Sequence, residues 1–194
     1  RSMYIGTNSK GDLCVSSELK GIPVGFNVNT FSPGTYSIYR KDSNNKYIKM
    51  TQKRYYQYNY PINNKLESRD KITFNINLLL EKAVQKRLIG DRQIGCLLSG
   101  GLDSSIIASL LCKTYQTQKR KLKTFSVGLK GSIDLYYAKI VADYLKTDHT
   151  ELILSEEDML NGIKDDIYHI ESYDITTVRA STPMMLLCKY IKEN

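Results

Sequence analysis

Ile94-Gly95-Cys96-Leu97-Leu98-Ser99-Gly100-Gly101-Leu102-Asp103-Ser104-Ser105 is the stretch that decides how the chain is read. Its first five residues form an apolar run of the kind that a parallel strand, covered on both faces, requires. The apolar spacing from Leu102 to Tyr115 predicts a helix immediately after it. Between the two, adjacent glycines permit a tight turn with exposed backbone N–H groups. Ser99, Ser104 and Ser105 add hydroxyls, and the helix N-terminus adds partial positive charge. The combination is an anion cradle. No Gly-Lys-Ser/Thr follows, so it is not a Walker A loop, and the third glycine of the dinucleotide fingerprint is missing. A carboxylate, Asp103, inside such a loop is accounted for by a magnesium ion that it shares with phosphate oxygens.

Downstream, strand and helix patterns alternate. Leu122 to Gly128 reads as a strand, Asp134 to Lys146 as a helix with Leu135, Ala138, Ala142 and Leu145 on one stripe, and His149 to Leu154 as a third strand. Ser155 followed by Asp158 resembles a capping box that opens a fourth helical stretch. A β-α-β-α-β-α order implies a mostly parallel sheet with right-handed crossovers and helices on both faces. Pro183 lies in the last helical pattern and is compatible with it in a first turn. Upstream, Ile72, Ile76, Leu79, Leu80, Ala83, Val84 and Leu88 recur at helical spacing and predict an amphipathic helix over residues 67–89. The first sixty residues instead read as strands and turns. Asp12-Leu13-Cys14-Val15-Ser16 is a short strand, and residues 35–40 pair with 46–50 as a hairpin across Asp42-Ser43-Asn44-Asn45. The grammar changes within 54–66, which gives a β-rich region over 1–60, a linker over 61–66 and an α/β region over 67–194.

Composition narrows the classes. The chain has 194 residues, is 41% hydrophobic and carries a formal charge of +8. Such a charge raises nucleic acid or an anionic membrane as a partner. Residues 1–95, however, hold 16 Lys/Arg and 7 Asp/Glu, whereas residues 96–194 hold 12 and 13. The excess belongs to the first half alone. No apolar run approaches a membrane span. Cys14, Cys96, Cys112 and Cys188 form no CxxC pair and read as reduced residues of a cytoplasmic protein. With only His149 and His169 present, a multi-histidine zinc site is nearly excluded, and both read as structural. Glu156-Glu157-Asp158 and Asp165-Asp166 read as helix-start and solvated-face charges. Residue 1 is not an initiator and the last residues lie inside a helical pattern, so the sequence is taken as a piece of a longer protein.

Ser-Gly-Gly-Leu-Asp-Ser-Ser after an apolar strand resembles the pyrophosphate loop of the ATP pyrophosphatase (PP-loop) superfamily. Three stretches narrow the resemblance. They are residues 94–105, Phe125-Ser126-Val127-Gly128-Leu129 with Gly131-Ser132-Ile133-Asp134-Leu135, and Glu171-Ser172-Tyr173-Asp174-Ile175-Thr176-Thr177-Val178-Arg179-Ala180-Ser181. In order and spacing they are similar to the glutamine-hydrolysing asparagine synthetases. Upstream, Gly11-Asp12-Leu13 through Ser17-Glu18-Leu19-Lys20 and Phe31-Ser32-Pro33-Gly34 look like the end of that family's glutaminase domain. Ile133 departs from the proline that the family usually has there, which removes a favoured helix-start residue.

The resemblance implies an adenine nucleotide alpha hydrolase-like fold, preceded by the remnant of an N-terminal nucleophile type glutaminase domain. It implies ATP and Mg2+, with aspartate and glutamine as substrates and no nucleic acid or membrane partner; a homodimer of the full-length protein stays open. Leu98 and Val127 would line the adenosine site, and Ser99, Gly100, Gly101, Ser104 and Ser105 would hold the leaving pyrophosphate. Asp103 would be a magnesium ligand. Thr176, Thr177 and Arg179 match a segment associated with the pyrophosphate and aspartate region, while an ordinary capped helix start with a surface Arg is the alternative for them. Neither the family's glutaminase cysteine nor its second acidic loop lies in these residues, so the piece itself is expected to bind ATP without full turnover. Two other readings are a tRNA-modifying PP-loop enzyme, favoured by Tyr47, Tyr55, Tyr56, Tyr58 and Tyr60 among basic residues, and a non-catalytic ATP-binding scaffold.

Overall fold

The computed structural model describes residues 2–59, 67–117 and 119–194. The chain divides into two compact units, Arg1–Lys65 and Leu66–Asn194. The expected linker over 61–66, and Tyr60 with it, lies outside the described residues.

The first unit is antiparallel. Strands β1 (Tyr4–Thr7), β2 (Leu13–Ser16) and β3 (Asn27–Thr30) form a sheet in the order β2-β1-β3. β4 (Thr35–Lys41) and β5 (Tyr47–Arg54) form the expected hairpin, with Lys41 opposite Tyr47 and a register shift between Ile38 and Tyr39. Its turn closes because Asp42 Oδ1 accepts the N–H groups of Asn44 at 2.9 Å and Lys46 at 2.8 Å, while Asn45 takes a positive φ of 65°. Asn and Asp tolerate that geometry better than other side chains.

The second unit begins with α1 (Arg69–Arg87). Then β6 (Gly95–Leu97), α2 (Leu102–Thr117), β7 (Lys123–Leu129), α3 (Ile133–Leu145), β8 (Asp148–Leu154), α4 (Glu156–Ile170) and α5 (Ile175–Glu193) follow. The three strands are parallel in the order β6-β7-β8, with Leu97 beside Phe125 and Phe125 beside Thr150. Successive strand residues point to opposite faces. Cys96 and Leu98 therefore join Ala108, Leu111 and Cys112 of α2 and Ala138 and Ala142 of α3 in the main core. On the other face Leu97, Phe125 and Thr150 look toward Tyr190 and Ile191 of α5 across a cavity of about 410 Å³. Helices thus lie on both faces of the sheet, as the β-α alternation implies.

Two details differ from the sequence reading. The stripe of α1 is only half used: Val84 is buried with Leu80 and Leu88 beside it, whereas Ile72, Ile76 and Leu79 are exposed. Pro183 is not in a first turn. α5 starts at Ile175, so the ring sits well inside the helix, where it removes an N–H from the ladder. The capping box does form, with the Ser155 N–H donating to Asp158 Oδ2 at 2.8 Å and the Asp158 N–H donating to Ser155 Oγ at 3.1 Å. All four cysteines are free. Among the described residues no helix is long and apolar enough to cross a membrane.

Beneath α3 the sheet also buries a set of polar groups. His149, with a side chain 3% exposed, places Nδ1 2.9 Å from Thr124 Oγ1 and Nε2 3.2 Å from Ser126 Oγ. Thr124 Oγ1 also lies 2.7 Å from Thr147 Oγ1. Glu151 on the same strand and Lys139 and Asp143 on α3 are the charged groups around the ring, but burial dominates and pushes its pKa below the ordinary imidazole value of 6.5. A depressed folded-state value means that the unfolded chain takes up the proton first. The stability that neutral His149 contributes is complete above the unfolded value and is lost as pH falls below it. Thermal unfolding should therefore show a falling Tm between about pH 7.5 and about pH 5.5, and His149→Gln should flatten that slope. An unchanged slope in the variant would assign the acid sensitivity elsewhere.

Candidate functional site

The cradle stands at the C-terminal edge of the sheet, where β6 hands over to α2. Leu98 continues the strand pairing, its N–H donating to the Phe125 carbonyl at 2.8 Å, and its side chain is 2% exposed within the core. The chain then turns at Gly100, whose φ is +78°. A Cβ there would lie 2.4 Å from the Tyr137 carbonyl carbon and 2.5 Å from the Ala138 nitrogen. Backbone of α3 cannot step aside as a flexible side chain can. Gly100 is thus required twice over, by conformation and by the approach of another helix. Gly101 is different, since a Cβ there meets only Ser99 Oγ at 3.4 Å.

The loop is held by its own hydroxyls. The Ser99 N–H donates to Ser104 Oγ at 3.3 Å, the two serine hydroxyls lie 3.1 Å apart, and the Gly101 N–H points to Ser99 Oγ at 3.4 Å. Ser105 Oγ donates to the Gly101 carbonyl at 2.7 Å, the carbonyl that also receives the Ser105 N–H and opens α2. Gly101 occupies the cap position without a side chain to cover the helix end. The first-turn N–H groups keep their outward donors, and the helix dipole adds positive potential there. Asp103 is exposed in that turn, and among the described residues it makes no hydrogen bond or ion pair.

Val127 is half-buried on β7, two residues beyond Phe125, whose carbonyl accepts the Leu98 N–H, and its side chain shares the Phe125 face of the sheet, opposite to that of Leu98. Thr176, Thr177 and Arg179 lie exposed in the first turns of α5. Tyr190, Ile191 and Asn194 at the far end of α5 line the same cavity as Gln93, Gly95, Lys123 and Asp148 at the strand starts. The helix therefore runs against the strands, and its first turn reaches the same edge as the cradle. Asp174 caps it, accepting the Thr177 N–H and the Thr177 hydroxyl, each at 2.8 Å, and these bonds lower the Asp174 pKa. The Thr177 hydroxyl is committed to that cap. Arg179 has no hydrogen bond to the loop among the described residues.

Sequence reasoning placed Asp165 and Asp166 together on a solvated face. Asp166 is instead 0% exposed between α4 and α5. Its position was readable: Met159, Gly162, Ile163, Asp166 and Ile170 recur at the spacing of one buried helical stripe. The polar set around His149 was also missed. Thr124 and Ser126 alternate along β7 on the face that α3 covers.

Fold and loop together define a parallel α/β domain with a Gly-Gly turn rich in serine at a strand-to-helix junction. The asparagine synthase family model matches residues 75–194, and the chain belongs to that family. It is 35% identical over 213 residues to the glutamine-hydrolysing asparagine synthetase of Cricetulus griseus, covering 100% of this chain and 38% of that protein. Identity to the Homo sapiens enzyme of that name is 34% over 213 residues, with 100% of this chain and 38% of the relative covered. For glutamine-hydrolysing asparagine synthetase 1 of Lotus japonicus it is 39% over 198 residues, with 98% and 32% covered. The chain thus spans about a third of the length of these relatives.

The glycines give a stability test. Gly100→Ala should cost at least about 2 kcal/mol in urea unfolding, because strain and a backbone collision act together. Gly101→Ala should stay within about 0.5 kcal/mol of the unaltered chain. Equal effects would mean that the approach to α3 does not constrain the loop.

Proposed function

We propose that the Ser99–Ser105 loop binds the pyrophosphate end of ATP, and that the protein carrying this chain makes asparagine from aspartate and glutamine-derived ammonia. The observation that supports this most directly is the uncapped start of α2 beside Gly100, within a chain of the asparagine synthase family. In the reaction the β-carboxylate of aspartate attacks the α-phosphorus of ATP and pyrophosphate leaves. Ammonia then attacks the acyl carbon of the β-aspartyl-adenylate and AMP leaves. The substrates supply both nucleophiles, so the protein's part is orientation and stabilisation of developing negative charge. The first-turn amides with the Ser99, Ser104 and Ser105 hydroxyls would take the β- and γ-phosphates. Leu98, whose side chain is in the core, would meet adenosine through its backbone, beside Val127. Arg179, with a planar fork suited to carboxylate or phosphate, would face the loop from α5 with Thr176. Thr177 would serve by fixing that helix start.

The donor set fits magnesium. Among the described residues no group of three His, Cys, Asp or Glu side chains could enclose a metal. Magnesium commonly needs no such cage, being held by one or two carboxylates, substrate phosphates and water. Asp103, exposed and unpartnered, would be the carboxylate, and the ion would neutralise phosphate charge. The free cysteines fit a reducing compartment such as the cytoplasm.

Aspartate-dependent exchange of labelled pyrophosphate into ATP is the deciding measurement on the protein that carries this chain. Exchange that needs aspartate and magnesium is expected. Exchange stimulated by tRNA, or ATP binding with no exchange under any condition, would favour the tRNA-modifying or scaffold alternatives instead. Asp103→Asn should weaken MgATP binding about tenfold by calorimetry, the scale of one lost charged contact of about 1.5–3 kcal/mol. Unchanged affinity would remove Asp103 from the metal site.

A further inference from the structure

α5 is weakened where its first turns join the rest of the helix. Pro183 has no N–H to give to the Arg179 carbonyl, and a proline ring inside a helix crowds the carbonyl four residues before it. The turn that loses its tie is the one that carries Arg179. Two hydroxyls brace it from either side: Ser181 Oγ lies 2.8 Å from the Thr177 carbonyl, and Thr182 Oγ1 lies 2.8 Å from the Val178 carbonyl.

Both hydroxyls also converge on one oxygen of the neighbouring helix. Asp166 Oδ2 is 2.5 Å from Ser181 Oγ and 3.1 Å from Thr182 Oγ1. Asp166 and Thr182 are buried, and the other carboxylate oxygen, Oδ1, is buried without a partner. Each hydroxyl has a single proton, and a carboxylate accepts it more strongly than an amide carbonyl. The helices are close here as well, since a Cβ on Gly162 would come within 3.1 Å of Thr182 Cγ2. A half-satisfied buried carboxylate is a poor source of stability, and an apolar residue of similar volume would serve the packing as well or better. What the carboxylate supplies is direction.

We propose that Asp166 is a positioning residue, which fixes the first turns of α5 across the proline break and so holds Arg179 and Thr176 toward the cradle. The role of Arg179 toward substrate rests on the nucleotide reading above; the anchoring of the helix does not.

The test separates the two. Exposed Leu102 and Ile175 are replaced by cysteine for nitroxide labels in the protein that carries this chain, with Cys188 replaced by serine, and the label-to-label distance distribution is measured. A single narrow distribution is expected, broadened by Asp166→Leu and narrowed again in Asp166→Asn, which keeps one acceptor oxygen. Asp166→Leu should leave Tm unchanged or raised while aspartate-dependent exchange at saturating ATP falls on the order of tenfold to a hundredfold, the scale of a misplaced group. Asp166→Asn should recover most of that rate. An unaltered distribution in Asp166→Leu, or a broad one before substitution, overturns the proposal. So does a fall in rate that merely tracks a fall in Tm in both variants. If Asp166→Leu does not fold, Ser181→Ala, which removes the shorter bond, must broaden the distribution for the proposal to stand. Broadening without exchange in the unaltered protein would defeat the nucleotide reading and leave the positioning role in place.

Discussion

The site depends on one close approach: the backbone of the Ser99–Ser105 loop against the backbone of α3 at Gly100. A loop with outward amides is costly to hold open, because each unpaired donor favours a conformation that buries it. Here any side chain at position 100 would collide with the α3 backbone, so the turn is kept by glycine alone. α3 is in turn fixed by Ala138 and Ala142, which sit in the core with Leu98 and Leu111. Core, helix and loop thus form one chain of constraint, and small residues at 138 and 142 are what allow the helix to come so near the sheet.

The central unit was legible because its residues state the same thing at two scales. Ile94 to Leu98 is apolar throughout and the following residues repeat at helical spacing, so strand, turn and helix are separately visible and mutually consistent. The cradle was legible for the same reason, since Gly-Gly with three serines has a geometric meaning without knowledge of the neighbours. β1 and β3 were not seen. Asn27-Val28-Asn29-Thr30 has one apolar residue in four, and its strand exists because β1 offers it a ladder, which no local pattern announces. What makes Gly100 obligatory, the backbone of Tyr137 and Ala138, is likewise a tertiary fact.

Charge misled in a related way. Asp165-Asp166 looks like a solvated pair because runs of like charge usually are, yet helical geometry turns adjacent residues about 100° apart and gives them different environments. Pro183 fits the last helical pattern without breaking it only in a first turn, but the cap that starts α5 is Asp174, nine residues earlier. The global excess of +8 has no counterpart at the cradle, where the positive potential comes from oriented amides.

The serine hydroxyls of the loop are already bonded within it, Ser99 with Ser104 and Ser105 to the Gly101 carbonyl. An anion bound as proposed would find hydroxyl rotors whose bonds must be exchanged, not vacant donors waiting to be filled, with the enthalpy of that exchange close to balanced. The net attraction must then come from the fixed amides and the helix end, which respond to total charge and hardly at all to the shape of what carries it. If it binds phosphate as proposed, a loop of this construction would discriminate among ligands by how much negative charge they bring, and would leave the choice between bases or sugars to residues outside it.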